Sequence, residues 1–290
     1  MPRTASLNDF EHLALLSNSA TSTVYKVLNP ADGETYVLKK VKLPLSDEEK
    51  QIALNEVRLM TTVTQPSILA YKEAFLDDTG CLCIVQEFAD GGDLFQRIED
   101  SRRDDPNPTH LREADVWRFI EGMCQGLKVL HDSSILHRNL KCTNVLFHEG
   151  PRGLIAKLGD FNAKLAKRGM EQTGTLHYIS PEVWRNMPYE AHSDMWSLGC
   201  VIYEMVALRP PFTGDSTEGI YRKVMRGQYP RIPAHYSHDL AEVIACLLQV
   251  NPQHRPSVDQ LLHMPVMRRL FPTGFGSQRP MTACTTITDV

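Results

Sequence analysis

The eight residues His137-Arg138-Asn139-Leu140-Lys141-Cys142-Thr143-Asn144 are the stretch whose types and spacing look most like a chemical device. Read as H-R-D-x-x-x-x-N, they suit phosphoryl transfer. The third residue takes the proton of an attacking hydroxyl, and the last helps hold a metal ion against phosphates. Here the third residue is Asn139 rather than Asp. An amide keeps the shape of the carboxylate and loses its basicity, so it can orient a hydroxyl but cannot receive its proton. A positioned base contributes roughly 10²–10⁴ in rate. The loop therefore predicts a much slowed transferase or a protein that binds without reacting.

Such a loop needs a frame, and the sequence periodicity supplies one. Residues 23–28 and 35–41 alternate as two strands about the turn at 29–33. A helix over about 46–62 opens on a capping box, Ser46 with Glu49. Ile52, Leu59 and Val63 form its apolar stripe, with Glu56 among them. A charge there needs a partner, and Lys39 on the preceding strand is the candidate; the plainer reading is a carboxylate at the stripe's edge. Residues 71–76 and 82–87 give two more strands. Asp90-Gly91-Gly92-Asp93 then divides a strand-rich part from a helix-rich one.

Residues 100–110 are charged and contain proline, which predicts a mobile surface loop. Val116, Phe119, Ile120, Met123, Leu127 and Leu130 follow a 3.6-residue period leading into the candidate catalytic loop. Residues 145–147 and 155–158 read as a short hairpin. The segment 194–205 is apolar nearly all round, the mark of a helix buried within a domain. Further helical patterns lie near 218–226 and 238–248. From about Pro272 the chain is rich in Gly, Thr and Ser without periodicity, which predicts disorder.

The 290 residues, 42% of them hydrophobic, suffice for one or two cored domains. A net charge of −4 and the lack of a basic stripe argue against a nucleic-acid partner. No apolar run reaches the roughly 18–20 residues that span a bilayer, and the N-terminus has no secretory segment. Seven cysteines at scattered spacings fit buried free thiols in a reducing cytosol better than metal ligation.

The order of these pieces over residues 8–271 resembles a eukaryotic protein kinase. Val37-Leu38-Lys39 stands in the V-A-I-K place and Glu56 in that of the glutamate paired to its lysine. Asp160-Phe161-Asn162 stands for D-F-G and Ile179-Ser180-Pro181-Glu182 for A-P-E. Asp194-Met195-Trp196-Ser197-Leu198-Gly199 matches D-x-W-x-x-G, and Arg255 is the late arginine that pairs with Glu182. The wording of 88–94, 158–161, 174–182 and 197–205 is similar to the NIMA-related (NEK) serine/threonine kinases. The resemblance implies an α+β bilobal fold, with a five-stranded N-lobe over 1–88, a helical C-lobe over 89–271 and a tail at 272–290.

It also implies an ATP site with magnesium. Lys39, held by Glu56, would pair the phosphates, while Asn144 and Asp160 would hold the metal. Lys141 would face the phosphate and, with Thr175, mark the serine/threonine class. Main-chain groups of Glu87 and Ala89 would meet adenine, with Gln86 at the gatekeeper place, Asp93 near the ribose and Val24 and Val37 in the pocket. Where the family has G-x-G-x-x-G-x-V, this chain has Ser17, Ser19 and Ser22 in the three glycine places. Glycine there permits positive φ and close approach to phosphate. The serines predict a stiffer, more distant lid and weaker nucleotide binding. Asn162 for the D-F-G glycine is milder, because Asn tolerates left-handed backbone.

In the activation segment Glu171 takes a place where NEK-like kinases often carry a phosphorylatable threonine. It could pair with Arg138 as a permanent, weaker phosphate mimic, or be a solvated loop residue. Thr173 and Thr175 remain candidate modification sites. His137 reads as structural, under Phe161, and Arg3-Thr4-Ala5-Ser6 resembles a short basic-directed phosphosite. The reading that follows is a pseudokinase that binds ATP weakly and acts through protein partners in the cytoplasm, in the cytoskeletal company of its family. The alternatives are a weakly active serine/threonine kinase, an active kinase carrying an engineered Asn139, or a small-molecule phosphotransferase. The last has no need of the peptide-segment support built by Glu182, Asp194 and Arg255.

Overall fold

The computed structural model describes residues 6–19, 22–41, 46, 54, 65–103, 108–150, 153–159 and 175–272. Five strands, β1 (Glu11–Asn18), β2 (Ser22–Asn29), β3 (Glu34–Val41), β4 (Tyr71–Leu76) and β5 (Leu82–Glu87), form one antiparallel sheet in the order β1-β2-β3-β5-β4. The β2–β3 turn closes because Asn29 takes the Ala31 amide on its side chain and the Gly33 amide on its carbonyl. Gly33, at φ 74, supplies the left-handed residue.

Register decides what the sheet shows to the rest of the molecule. Val24 pairs with Lys39 and Lys39 with Ile84, while Lys26 pairs with Val37 and Val37 with Gln86. Partners directly across strands share a face, so all six side chains point one way. The opposite face is sealed by Phe10, Val27, Leu38, Phe75, Cys83 and Val85, with the rings of Phe10 and Phe75 stacked at 6.3 Å. On the first face, helical Leu54 covers one end, against Val41, Leu82 and Ile84. Leu54 and Ser46 are the described residues of the helix expected over 46–62; Glu56 lies outside the described residues.

The second lobe is helical. Its elements are α1 (Leu94–Arg102), α2 (Glu113–Asp132), the hairpin β6 (Val145–Gly150) with β7 (Gly153–Leu158), α3 (Pro181–Trp184), α4 (Ala191–Ala207), α5 (Thr217–Arg226), α6 (His238–Leu247), α7 (Val258–Leu262) and α8 (Pro265–Leu270). The all-round apolarity of α4 has its reason here: Met195, Trp196, Leu198, Cys200, Val201, Ile202 and Tyr203 are each 0% exposed. Burial of such side chains stabilises by about 1.5–3 kcal/mol apiece.

The expected loop at 100–110 needs correction. Its first residues belong to α1, which runs through Arg102 and opens where the Asp93 side chain accepts the Gln96 amide at 2.8 Å. Charged residues hid this helix: Ile98 and Leu94 are its buried side chains. The lobes are joined by backbone as well as by the hinge. Leu158 donates to Ser67 and receives from Leu69, both at 2.9 Å. No helix among the described residues is long and apolar enough to cross a membrane.

Candidate active site

The catalytic loop hangs from one carboxylate. Asp194, in the first turn of α4 and fully buried, accepts the amides of His137 and Arg138 at 2.9 Å each. His131 Nε2 lies 2.9 Å from it and the Tyr189 hydroxyl donates at 2.5 Å. Burial alone would raise its pKa, but the His131 contact, the charge of His137 and the Tyr189 hydrogen bond outweigh it and hold the carboxyl below its ordinary value. Two adjacent amides aimed at one carboxylate fix a tight turn, and Arg138 is left-handed there at φ 61. That conformation costs a non-glycine residue roughly 1–2 kcal/mol, which the Asp194 contacts over-determine.

The rest of the loop is equally specified. The Asn139 amide donates to His137 Nδ1 at 3.3 Å, and Asn144 Nδ2 donates to the Asn139 carbonyl at 2.6 Å. That bond spends the Asn144 nitrogen on the loop and turns its oxygen, the atom a hard divalent cation takes, to the other side. The residues present fit magnesium on this count. Lys141 is half-buried on the same loop. The Asn139 side chain thus stands on a loop folded for chemistry. Asp160, the second expected metal ligand, and Asn162 lie outside the described residues, as do Glu171 and Thr173.

Below the loop, Arg255 grips Glu182 with two parallel bonds, Nη1 to Oε1 and Nη2 to Oε2, each 2.7 Å. Arg255 also donates to the carbonyls of Gln249 and His192, and Ser193 donates to Glu182. Burial pushes Glu182 up, yet the Arg255 and Ser193 hydrogen bonds reverse this and set it at about 2. Thr175 begins a 3-10 turn, Thr175–Tyr178, leading to α3. This turn is anchored by a pair that the sequence reading missed. The Tyr178 hydroxyl donates to buried Glu204 at 2.6 Å, and Ser197 donates to the Tyr178 carbonyl. Burial raises the Glu204 pKa despite the Tyr178 bond.

The sheet face opposite the Phe10–Phe75 cluster carries Lys39, Val24 and Val37, all half-buried. At its edge the lid is tied to itself. The Ser19 amide donates to the Ser22 carbonyl at 2.9 Å and the Ser22 amide to Ser19 Oγ at 3.0 Å. Ser17 pairs with Val24, and Thr23 donates to Asn18. Ser17, Ser19 and Ser22 all keep negative φ. The chain does not call on glycine's freedom at these three places; hydroxyl bonds take its place.

At the hinge, Glu87 donates its amide to the Ala70 carbonyl at 2.8 Å. Its carboxylate accepts the Ala70 amide and pairs with Lys157 of β7 at 2.7 Å. Lys157, 8% exposed, is a second residue the sequence reading missed; its only signal was a lysine inside an apolar strand. Ala89 is buried. Gly91 must be glycine, because a Cβ would stand 2.8 Å from the Phe147 carbonyl that receives its amide. Asp93, expected near a ribose, caps α1, and burial raises its pKa against that cap bond.

Residues 10–267 match the protein kinase domain family. Over 269 residues the chain is 35% identical to serine/threonine-protein kinase Nek5 of Mus musculus, covering 91% of this chain and 41% of the relative. With serine/threonine-protein kinase Nek3 of Mus musculus the identity is 36%, covering 88% of this chain and 49% of the relative. With probable serine/threonine-protein kinase nek3 of Dictyostelium discoideum it is 32%, covering 91% and 24%. The chain spans less than half the length of these three relatives. With its five-stranded lobe, helical lobe and Asp194-hung loop, the chain belongs to the protein kinase family and carries a NEK-like kinase domain.

Proposed function

We propose that this chain is a pseudokinase that binds ATP with magnesium and acts chiefly by holding protein partners. The observation that carries the reading is Asn139: it stands on a loop whose backbone is fully supported by Asp194, in the place where a base must be. A loop that had merely decayed would not keep both bonds. Lys39 would meet the phosphates, the Asn144 oxygen and Asp160 would hold the metal, and the hinge backbone at Glu87 and Ala89 would meet the base. Bound magnesium would neutralise phosphate charge. Asn139 would accept a hydrogen bond from a hydroxyl and leave its proton in place. The self-bonded serine lid favours a nucleotide held weakly beneath it.

A weakly active serine/threonine kinase is the second reading, favoured by the kept Asn144–Asn139 bond and Lys39. The six described cysteines are all free, which suits a reducing cytoplasmic setting. Association with the cytoskeleton rests on family resemblance. A thermal shift tests the binding half of the proposal. Nucleotide at 100 times its Kd adds about 2.7 kcal/mol, so ATP with magnesium should raise the melting temperature. Absence of any shift at millimolar ATP would remove the nucleotide from the account.

A further inference from the structure

Two histidines too far apart in sequence for any ligand pattern meet in the helical lobe, where two loops are clamped together. His110 lies just before α2 and His235 just before α6. The Tyr236 hydroxyl donates to the Leu111 carbonyl at 2.9 Å, and the Ser237 amide donates to the Glu113 carboxylate at 2.9 Å. So held, the ring centres of His110 and His235 stand 4.7 Å apart with their planes tilted by 56°. The Val206 carbonyl, in the last turn of α4, accepts a hydrogen bond from the His110 ring. Nδ1 of that ring is buried and has no partner among the described residues. The donated proton therefore sits on Nε2, and Nδ1 keeps an open lone pair. A buried acceptor left unmet is costly and points to something that completes it.

We propose that His110 and His235 together bind a zinc ion. An imidazole whose other N–H is spent on a backbone carbonyl is the usual form of a metal ligand, and imidazole suits zinc. Two nitrogens at zinc bonding distance put their ring centres roughly 4.5–5.2 Å apart, for bonds between right-angled and tetrahedral. The observed 4.7 Å lies in that range. Parallel stacked rings would aim their nitrogens past each other, whereas tilted rings can share an ion. His235 is exposed, which gives the ion its way in. No third His, Cys, Asp or Glu joins the pair among the described residues. Water therefore completes the coordination, and the ion serves as a clasp between the two loops. None of the catalytic-loop or hinge residues takes part, so the proposal stands apart from the nucleotide reading.

The test is calorimetry with zinc chloride on the full chain after dialysis against a chelator, with thermal melts beside it. The unaltered chain should take up zinc, melt at a higher temperature with it, and return to the starting melt with EDTA. His235→Ala, at an exposed position, should leave the zinc-free melt unmoved and weaken zinc by about tenfold or more. His110→Gln should weaken it as much. His254→Ala, outside the pair, should bind zinc as the unaltered chain does. His235→Ala decides the matter if the change at half-buried His110 upsets folding. Absence of zinc binding, or binding as tight in His235→Ala as in the unaltered chain, would mean an adventitious ion only and would overturn the proposal. An equal loss in His254→Ala would overturn it as well.

Discussion

The support beneath the catalytic loop and the lid across the cleft are held by different means. Beneath, single buried charges each gather several partners: Asp194 takes four contacts and Glu182 takes Arg255 and Ser193. Above, the lid relies on neutral, exposed bonds between serines three residues apart. Buried charge networks fail together when one member is removed. Exposed serine pairs compete with water and fail gently. The two regions therefore differ in how much one substitution should cost, and Asn139 stands on the firmly held one.

That contrast can be broken by mutation. The largest effect should come from Arg255→Met, which leaves Glu182 buried without its partner. A loss of about 3–5 kcal/mol in denaturant unfolding is expected, and a loss below 1 kcal/mol would mean the pair is ornamental. Acid should act through the same carboxylate. With a folded pKa of about 2 against an ordinary 4.5, Glu182 contributes fully above pH 4.5 and loses its contribution as pH falls toward 2. Its share is on the order of 3 kcal/mol. Stability followed from pH 5 to pH 2 should fall less steeply in Glu182→Gln.

Lys157→Met removes the cation from the hinge carboxylate and should cost roughly 1.5–3 kcal/mol. The same measurement would show whether the lobes are strapped there or only adjacent. Ser19→Ala, in the lid, should change stability by about 1 kcal/mol or less. If it matches Arg255→Met, the two regions are not built differently.

Much of the frame was legible because its signals are local or periodic. The helix at Ala191–Ala207 declares itself by apolar residues on every side, and the strands at Tyr71–Leu76 and Leu82–Glu87 by alternation and a turn. The Glu182–Arg255 pair was reached only through the family pattern, since 73 residues separate its members. The Lys157–Glu87 strap, 70 residues apart and in no pattern weighed, stayed hidden. So did the Tyr178–Glu204 anchor, since a buried carboxylate on an apolar helix looks like any other until its partner is seen. The helix Leu94–Arg102 was missed because its charged face resembles a loop. The serines in the three lid places are plain in the sequence, but the bond from the Ser22 amide to Ser19 at ordinary backbone angles shows only in the fold.

Phosphoryl transfer measures most directly whether Asn139 separates a folded loop from a working one. Radiolabelled ATP with magnesium and a generic protein substrate should give little or no product with the unaltered chain. Asn139→Asp should raise the rate by about 10²–10⁴. Brisk transfer by the unaltered chain, or a rate unmoved by the restored carboxylate, would contradict the account.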